Sequence, residues 1–170
     1  MKRTTSSLLA ALGLACTMQV AQAGTWVQTP YAPPKALFEF YFDDPRKIGS
    51  ALFWVRALIH PLMEAPYGYT PEDLSLVVVI HGTEIVTVAK KNEAKYQEAV
   101  DRMRYYADLG VKFKVCGLAA EDYGYALKDF QDFIHVVPNA ITELAHWQQQ
   151  GYALILPQVM EKKIDIESIR

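Results

Sequence analysis

The sequence predicts an α/β protein, a three-layer α/β/α sandwich built on a mainly parallel five-stranded sheet. Five short apolar runs alternate with helical patterns along most of the chain, which is typical of a parallel sheet covered by helices. One run, residues 74–80, is almost continuously apolar, as in a strand that is buried on both faces. Apolar residues make up 51% of the 170 residues. That content is enough for a packed core and excludes a disordered or collagen-like chain.

Charge and motif content narrow the classes of function. Lys and Arg number 17 against 19 Asp and Glu, and this net charge of −2 argues against a nucleic-acid partner, which usually requires a basic surplus. The chain lacks the G-x-G-x-x-G and G-x-x-x-x-G-K-[ST] motifs of nucleotide binding and the G-x-S-x-G elbow of hydrolases. Its two cysteines and four histidines do not show metal-ligand spacing. The sequence therefore predicts no cofactor and no metal.

The first 23 residues have the pattern of a secretory signal peptide. Lys2 and Arg3 give a basic start, residues 8–20 are mostly apolar and uncharged, and Ala21-Gln22-Ala23 has the small-x-small form of a cleavage site. We expect cleavage after Ala23 and a periplasmic or secreted protein with no membrane span. A retained anchor is disfavoured because the apolar run is shorter than the ~20 residues that cross a bilayer.

Cysteine usage restricts the chemistry further. Cys16 lies in the predicted signal peptide, and a lipoprotein modified there is disfavoured because Gly13 stands where an aliphatic residue is expected. Cleavage leaves Cys116 as the single cysteine, which excludes an intramolecular disulfide framework. In an oxidising compartment such a thiol is either buried and inert or kept for chemistry.

After the predicted cleavage site the chain divides into three parts. Residues 24–35 contain three prolines and predict an extended arm. Residues 36–157 carry the alternation of strands and helices and predict one α/β domain. Residues 158–170 form a charged tail.

The first half of the domain begins with a strand at residues 36–42, which are apolar and aromatic. Asp44 and Pro45 favour the start of a helix, because aspartate caps the N-terminus and proline suits the first turn. Apolar residues then recur at helical spacing. Residues 64–73 are rich in Pro, Gly and Tyr and predict a loop long enough to be functional or to contact another subunit. The buried second strand at residues 74–80 follows.

The middle of the domain predicts a second long helix and a third strand. Residues 83–91 are ambiguous between helix and strand. Asn92 is placed to cap a helix that ends at Gly110. Residues 111–116 predict the third strand, and residues 119–129 predict a short helix.

The last part of the domain predicts a strand at residues 133–137, a helix capped by Asn139, and a fifth strand at residues 152–156 that stops at Pro157. We expect the inner face of this last helix to consist of apolar residues: Ile141, Leu144 and Ala145.

Candidate site residues lie where the strands end, because open parallel sheets bind ligands beyond the carboxyl ends of their strands. Cys116 ends the third strand before Gly117, and a following helix would direct backbone N–H groups towards the sulfur and favour the thiolate. The alternative is a buried, inert cysteine that packs as a small apolar residue. His81 ends the second strand and is placed to support a sulfur species, or alternatively to bond only to loop backbone.

Four segments together resemble the DsrE/DsrF-like sulfur-relay superfamily, in particular its small, exported and poorly characterised members. The resemblance covers roughly residues 36–157, which is most of the chain after the predicted cleavage site. It rests on the segments LVVVIHGT (76–83), VKFKVC (111–116), VVPNAITEL (136–144) and QQQGYA (148–153).

The resemblance implies a three-layer sandwich in which the second and third strands are neighbours, so that His81 and Cys116 share one rim. It implies a homo-oligomer, a trimer or a hexamer, with sites near the subunit boundaries. It also implies a role for Cys116, since a cysteine in the corresponding loop of the relay proteins carries sulfur as a persulfide.

We therefore expect an exported DsrE-like protein with a sulfur-handling or thiol-based role centred on Cys116, with His81 in support. Its partners would be copies of itself and a sulfur donor or acceptor protein. The alternative is a non-catalytic ligand-binding or assembly module in which Cys116 is structural. Thiol exposure separates the two, because a reactive thiol must be reachable. The sequence does not decide whether the protein is an enzyme.

Overall fold

A computed structural model describes residues 24–170. The chain divides into two units, Met1–Pro30 and Tyr31–Arg170. Residues 24–30 of the first unit are exposed and have no regular secondary structure. The predicted signal peptide and its cleavage site lie outside the described residues. All the elements named below belong to the second unit.

The sheet of the second unit has five strands, and every neighbouring pair is parallel. Their order across the sheet is β4-β3-β2-β1-β5, which places β2 at the centre. This confirms the predicted parallel five-stranded sheet. The strands are β1 (Lys35–Phe40), β2 (Ser75–Ile80), β3 (Lys112–Cys116), β4 (Ile134–Val137) and β5 (Ala153–Ile155).

The strands are connected by helices, which completes the α/β/α architecture. The segment at residues 83–91, ambiguous in sequence, forms turns of 3-10 helix. The helix predicted at residues 119–129 is shorter and ends before Gly124, because the φ of +72° at that glycine is left-handed and cannot continue the helix. The helices are α1 (Ile48–Met63), α2 (Glu93–Asp108), α3 (Gly117–Asp122) and α4 (Ala140–Gln149).

The apolar core lies on both faces of the sheet. The larger cluster joins one face to α1 and α2 through residues such as Phe38, Val55, Val78 and Met103. The smaller cluster lies on the face covered by α4. The strand residues from Leu76 to Ile80 are buried on both faces, as the apolar run predicts. The smaller cluster consists of Leu37, Val77, Val79, Cys116, Ala140, Leu144 and Tyr152.

The inner face of α4 differs from the prediction. Leu144 is buried as expected, but Ile141 is 64% exposed and Ala145 is also exposed. Ala140 is buried instead, and Trp147 packs against the same cluster. Positions 140, 144 and 147 are spaced by four and three residues and therefore lie on one helical face. The inner face of α4 is therefore shifted by about one residue from the face that the sequence predicted.

The two asparagines that precede helices behave differently. The side chain of Asn139 accepts a hydrogen bond from the backbone N–H of Ile141 at 2.7 Å and caps α4 as predicted. Asn92 precedes α2 as predicted but makes no capping bond with its side chain. Its amide nitrogen donates instead to the carbonyl of Val86 and the hydroxyl of Tyr125.

Candidate functional site

The carboxyl ends of the three central strands meet at one edge of the sheet. Phe40 of β1 pairs with Ile80 of β2, and Ile80 pairs with Val115 of β3. The predicted adjacency of the second and third strands is therefore confirmed. His81 and Cys116 each follow the Ile80–Val115 pair by one residue, so the register places them side by side at this edge.

His81 is held in place from two directions. Its Nε2 lies 2.9 Å from Oε1 of Glu39, and the two side chains are 11% and 20% exposed. The ring of Tyr41 stacks on the imidazole with a centroid distance of 4.6 Å and an interplanar angle of 14°. Within residues 24–170, Nε2 is the only ring nitrogen of His81 with a hydrogen-bond partner.

A second glutamate, Glu84, fastens the backbone that carries His81. Its buried carboxylate accepts hydrogen bonds from the N–H groups of Phe42 at 3.0 Å, Gly82 at 2.9 Å and His81 at 3.3 Å. Burial is the larger influence and raises the pKa of Glu84, while these hydrogen bonds act to lower it. Glu84 thereby ties the loop after β2 to the loop after β1.

Gly82 allows the two loops to approach this closely. A Cβ atom at this position would lie 2.4 Å from the backbone nitrogen of Phe42 and 2.6 Å from its oxygen. Backbone hydrogen bonds between these two segments continue beyond the ends of β1 and β2. The N–H of His81 donates to the carbonyl oxygen of Phe40, and the N–H of Thr83 donates to the carbonyl oxygen of Phe42. The edge that carries His81 is therefore closely packed.

A cavity of about 620 Å³ opens at this edge. Its charged side chains are Asp43, Lys47 and Asp122. Lys47 bonds to Asp43 at 2.5 Å, and this hydrogen bond lowers the pKa of Asp43. The remaining lining residues come from the ends of β1, β2 and β5 and from α3: Tyr41, Phe42, His81, Gly82, Thr83, Ala119, Tyr123, Pro157, Gln158 and Val159.

Cys116 lies at the same edge but in a different environment. It is a free cysteine, 6% exposed, and belongs to the small buried cluster under α4. It is not among the residues that line the cavity. A Cβ at Gly117 would lie 2.8 Å from the carbonyl oxygen of Val137, so the turn after Cys116 passes close to the end of β4. The structure thus brings His81 and Cys116 to one edge but places only His81 against the cavity.

Sequence reasoning missed the two glutamates that support His81. Glu39 is the one charged residue in the apolar segment 36–42, and a charge within a buried strand requires a polar partner. That rule could have predicted that Glu39 has a polar partner at the carboxyl edge of the sheet. Glu84 lies in the ambiguous segment 83–91 and carried no comparable signal.

Neither a metal centre nor a membrane helix is found in the described part of the chain. Residues 24–170 contain no group of three or more His, Cys, Asp and Glu side chains arranged to hold a metal ion. Over the same residues, no helix has the length and apolar character needed to cross a bilayer.

Comparison with known proteins gives one family and one fold. Residues 43–157 match the family model described as the DsrE/DsrF-like family. No curated protein sequence matches significantly. Among solved structures, the protein of unknown function MTH1491 from Methanobacterium thermoautotrophicum is similar, with a TM-score of 0.59 and 20% identity over 73% of this chain and 99% of that one. At this identity the structural likeness shows the fold alone.

Proposed function

The chain belongs to the DsrE/DsrF-like family, and from this membership we propose that it handles sulfane sulfur, with Cys116 as the carrier and His81 in support. The observation that carries the proposal is the placement of the only free cysteine of residues 24–170 at the carboxyl edge, in register with His81. This edge is where parallel sheets position reactive groups.

The proposed step is a thiol exchange at sulfur. The thiolate of Cys116 attacks the outer sulfur of a donor persulfide, R–S–SH, and forms a new S–S bond as the donor's own S–S bond breaks. The product is a persulfide on Cys116, and the leaving thiolate takes up the proton that Cys116 gave up. The sulfane sulfur changes its carrier, so no external oxidant or reductant is required.

A second function is supported by a different observation. Cys116 is 6% exposed and does not line the 620 Å³ cavity, whereas His81 does. This arrangement favours a non-catalytic module that binds a small ligand in the cavity or serves in assembly, with Cys116 as a packing residue. The two functions differ in whether the sulfur can be reached in the folded protein.

Mass spectrometry of the folded protein after incubation with polysulfide tests the proposal. The carrier function predicts a gain of one sulfur atom that maps to Cys116 and is absent in Cys116→Ser. The same incubation in denaturant shows whether unfolding is required. An adduct that forms only in denaturant would exclude the carrier function and leave the binding module.

We also propose that the protein is exported and acts as a homo-oligomer, a trimer or a hexamer. Export is supported by the signal-peptide pattern of residues 1–23 and the Ala21-Gln22-Ala23 site. Assembly is supported by the proline-rich segment 24–35, by the tyrosine-rich loop at residues 64–73, and by the resemblance to oligomeric sulfur-relay proteins. A sulfur donor or acceptor protein is the further partner that this function requires.

A further inference from the structure

We infer that Glu39 is the positioning residue of His81, and that the two form a dyad whose free ring nitrogen, Nδ1, accepts the thiol proton of Cys116. The inference deepens the proposed function and rests on it for the identity of the proton donor. The sheet register and the Glu39–His81 contact carry it.

The contact between Glu39 and His81 fixes which ring nitrogen bears the hydrogen. An ionised carboxylate only accepts hydrogen bonds, so Nε2, 2.9 Å from Oε1 of Glu39, must be the donor. In the neutral ring this leaves Nδ1 with a lone pair, and within residues 24–170 it makes no hydrogen bond. A neutral imidazole with one fixed N–H and one free lone pair is the form that acts as a proton acceptor.

The ring is also fixed in orientation. Tyr41 stacks on it nearly parallel, at 14°. The backbone of His81 donates to Phe40 and to the buried carboxylate of Glu84. A side chain held from its ring, its Nε2 and its backbone loses little freedom when a reaction begins, and such preorganisation favours catalysis.

Three adjacent strands bring the three groups together. Glu39 is opposite Val79, which lies in the cluster under α4 together with Cys116. Alternate residues of a strand share a face, so His81, two positions after Val79, projects to that same side. Neighbouring strands lie about 4.8 Å apart, which brings the positions of His81 and Cys116 within side-chain reach.

The dyad supplies the proton balance of the proposed step. Nδ1 of His81 accepts the proton from the Cys116 thiol, and the resulting imidazolium is stabilised by the carboxylate of Glu39. When the S–S bond of the donor breaks, the same proton passes from Nδ1 to the leaving thiolate. Glu39 itself neither gains nor loses a proton.

Four variants and two measurements test the dyad. Glu39→Leu removes the acceptor, Glu39→Gln keeps an acceptor oxygen without the charge, and His81→Asn removes the base. Glu98→Gln is the matched control, since it removes a largely exposed carboxylate on α2. The measurements are the rate of sulfur transfer from glutathione persulfide and the tautomer of His81 from two-bond ¹H–¹⁵N NMR correlations.

We expect the wild-type ring to be the Nε2–H tautomer, and we expect Glu39→Leu to produce a mixture of tautomers. Glu39→Leu and His81→Asn should slow sulfur transfer at least about tenfold, as for loss of a general base. Glu39→Gln should retain the tautomer and fall between wild type and Glu39→Leu in rate. Glu98→Gln should match wild type in both measurements.

Two results would overturn the inference, and they are distinguishable from failure of the proposed function. Wild-type rates in Glu39→Leu, or mixed tautomers in the wild-type protein, would show that Glu39 does not position His81. A wild-type protein that takes up no sulfur would instead remove the carrier function. The tautomer measurement would still decide whether Glu39 fixes the ring, because it does not depend on the thiol.

Discussion

At the residue scale, the edge of the sheet depends on two glutamates with different partners. Glu39 bonds to a side chain, the imidazole of His81, whereas Glu84 bonds only to backbone N–H groups. Both arrangements give a hydrogen-bond partner to a carboxylate that packing has wholly (Glu84) or largely (Glu39) removed from water. Glu39 sets the chemistry of His81, and Glu84 sets the path of the backbone around it.

Gly82→Ala should destabilise the protein by about 1–3 kcal/mol, the usual cost of overpacking. The added methyl would meet the backbone of Phe42 at 2.4 Å, and backbone atoms cannot move aside as a flexible side chain would. Gly49→Ala is the matched control, because a Cβ there meets nothing within 4 Å and alanine favours the helix. Urea unfolding of both variants measures the difference. Equal stability of the two would contradict the close approach of the loops.

Glu84 should make stability fall as pH rises. Burial raises the pKa of Glu84 above its ordinary value of 4.5, so the folded protein binds this proton more tightly than the unfolded chain does. The stabilisation from this group is therefore fully present below pH 4.5 and is lost as pH rises through the folded pKa. Glu84→Gln does not titrate, so the free energy of unfolding of wild type minus variant should decline across this interval. The measurement is urea unfolding from pH 4 to 8, and a constant difference would contradict the raised pKa.

At the scale of elements, α4 contributes Ala140 and Leu144 to the smaller core cluster, which includes Cys116. Its register is set at its first turn, where Asn139 caps the helix and leaves Ala140, Leu144 and Trp147 towards the sheet. Residue types alone did not determine this face, because Ile141 and Ala145 are also apolar and recur at a helical spacing. The cap and the strand surface together decide which face is buried.

Leu144→Ala should destabilise the protein by about 2–5 kcal/mol, because it leaves a cavity beneath α4. Ile141→Ala on the same helix should change stability by no more than about 0.5 kcal/mol, because that side chain is largely exposed. Thermal or urea unfolding measures both. If Ile141→Ala were the more destabilising of the two variants, the inner face predicted from the sequence would be the correct one. Leu144→Ala should also increase the rate at which Cys116 is alkylated, since the two residues share the buried cluster.

At the scale of the whole molecule, export and assembly are the two proposals that a preparation from cells can test together. Protein recovered from the periplasm should begin at Gly24, because cleavage is expected after Ala23. Light scattering of that material should give the mass of a trimer or a hexamer. Cytoplasmic protein that retains Met1 would argue against export, and a stable single chain would argue against assembly.

Local patterns in the amino-acid sequence were enough to predict the fold class and the approximate position of each strand. Continuous apolar runs, helical spacing and capping residues are local signals, and they act over distances of a few residues. The strand at 74–80, the cap at Asn139 and the placement of Cys116 and His81 at strand ends all follow from such signals. That Cys116 and His81 lie at the same edge of the sheet was inferred from the family resemblance.

The full strand order, the burial of Cys116 and the partners of His81 became known from the three-dimensional packing. Glu39 and His81 are 42 residues apart in sequence and meet because β1 and β2 are neighbours in the sheet. The burial of Cys116 depends on α4, which begins more than 20 residues later in the chain. Pairings of this kind are set by how elements pack, and one sequence contains no local pattern that encodes them.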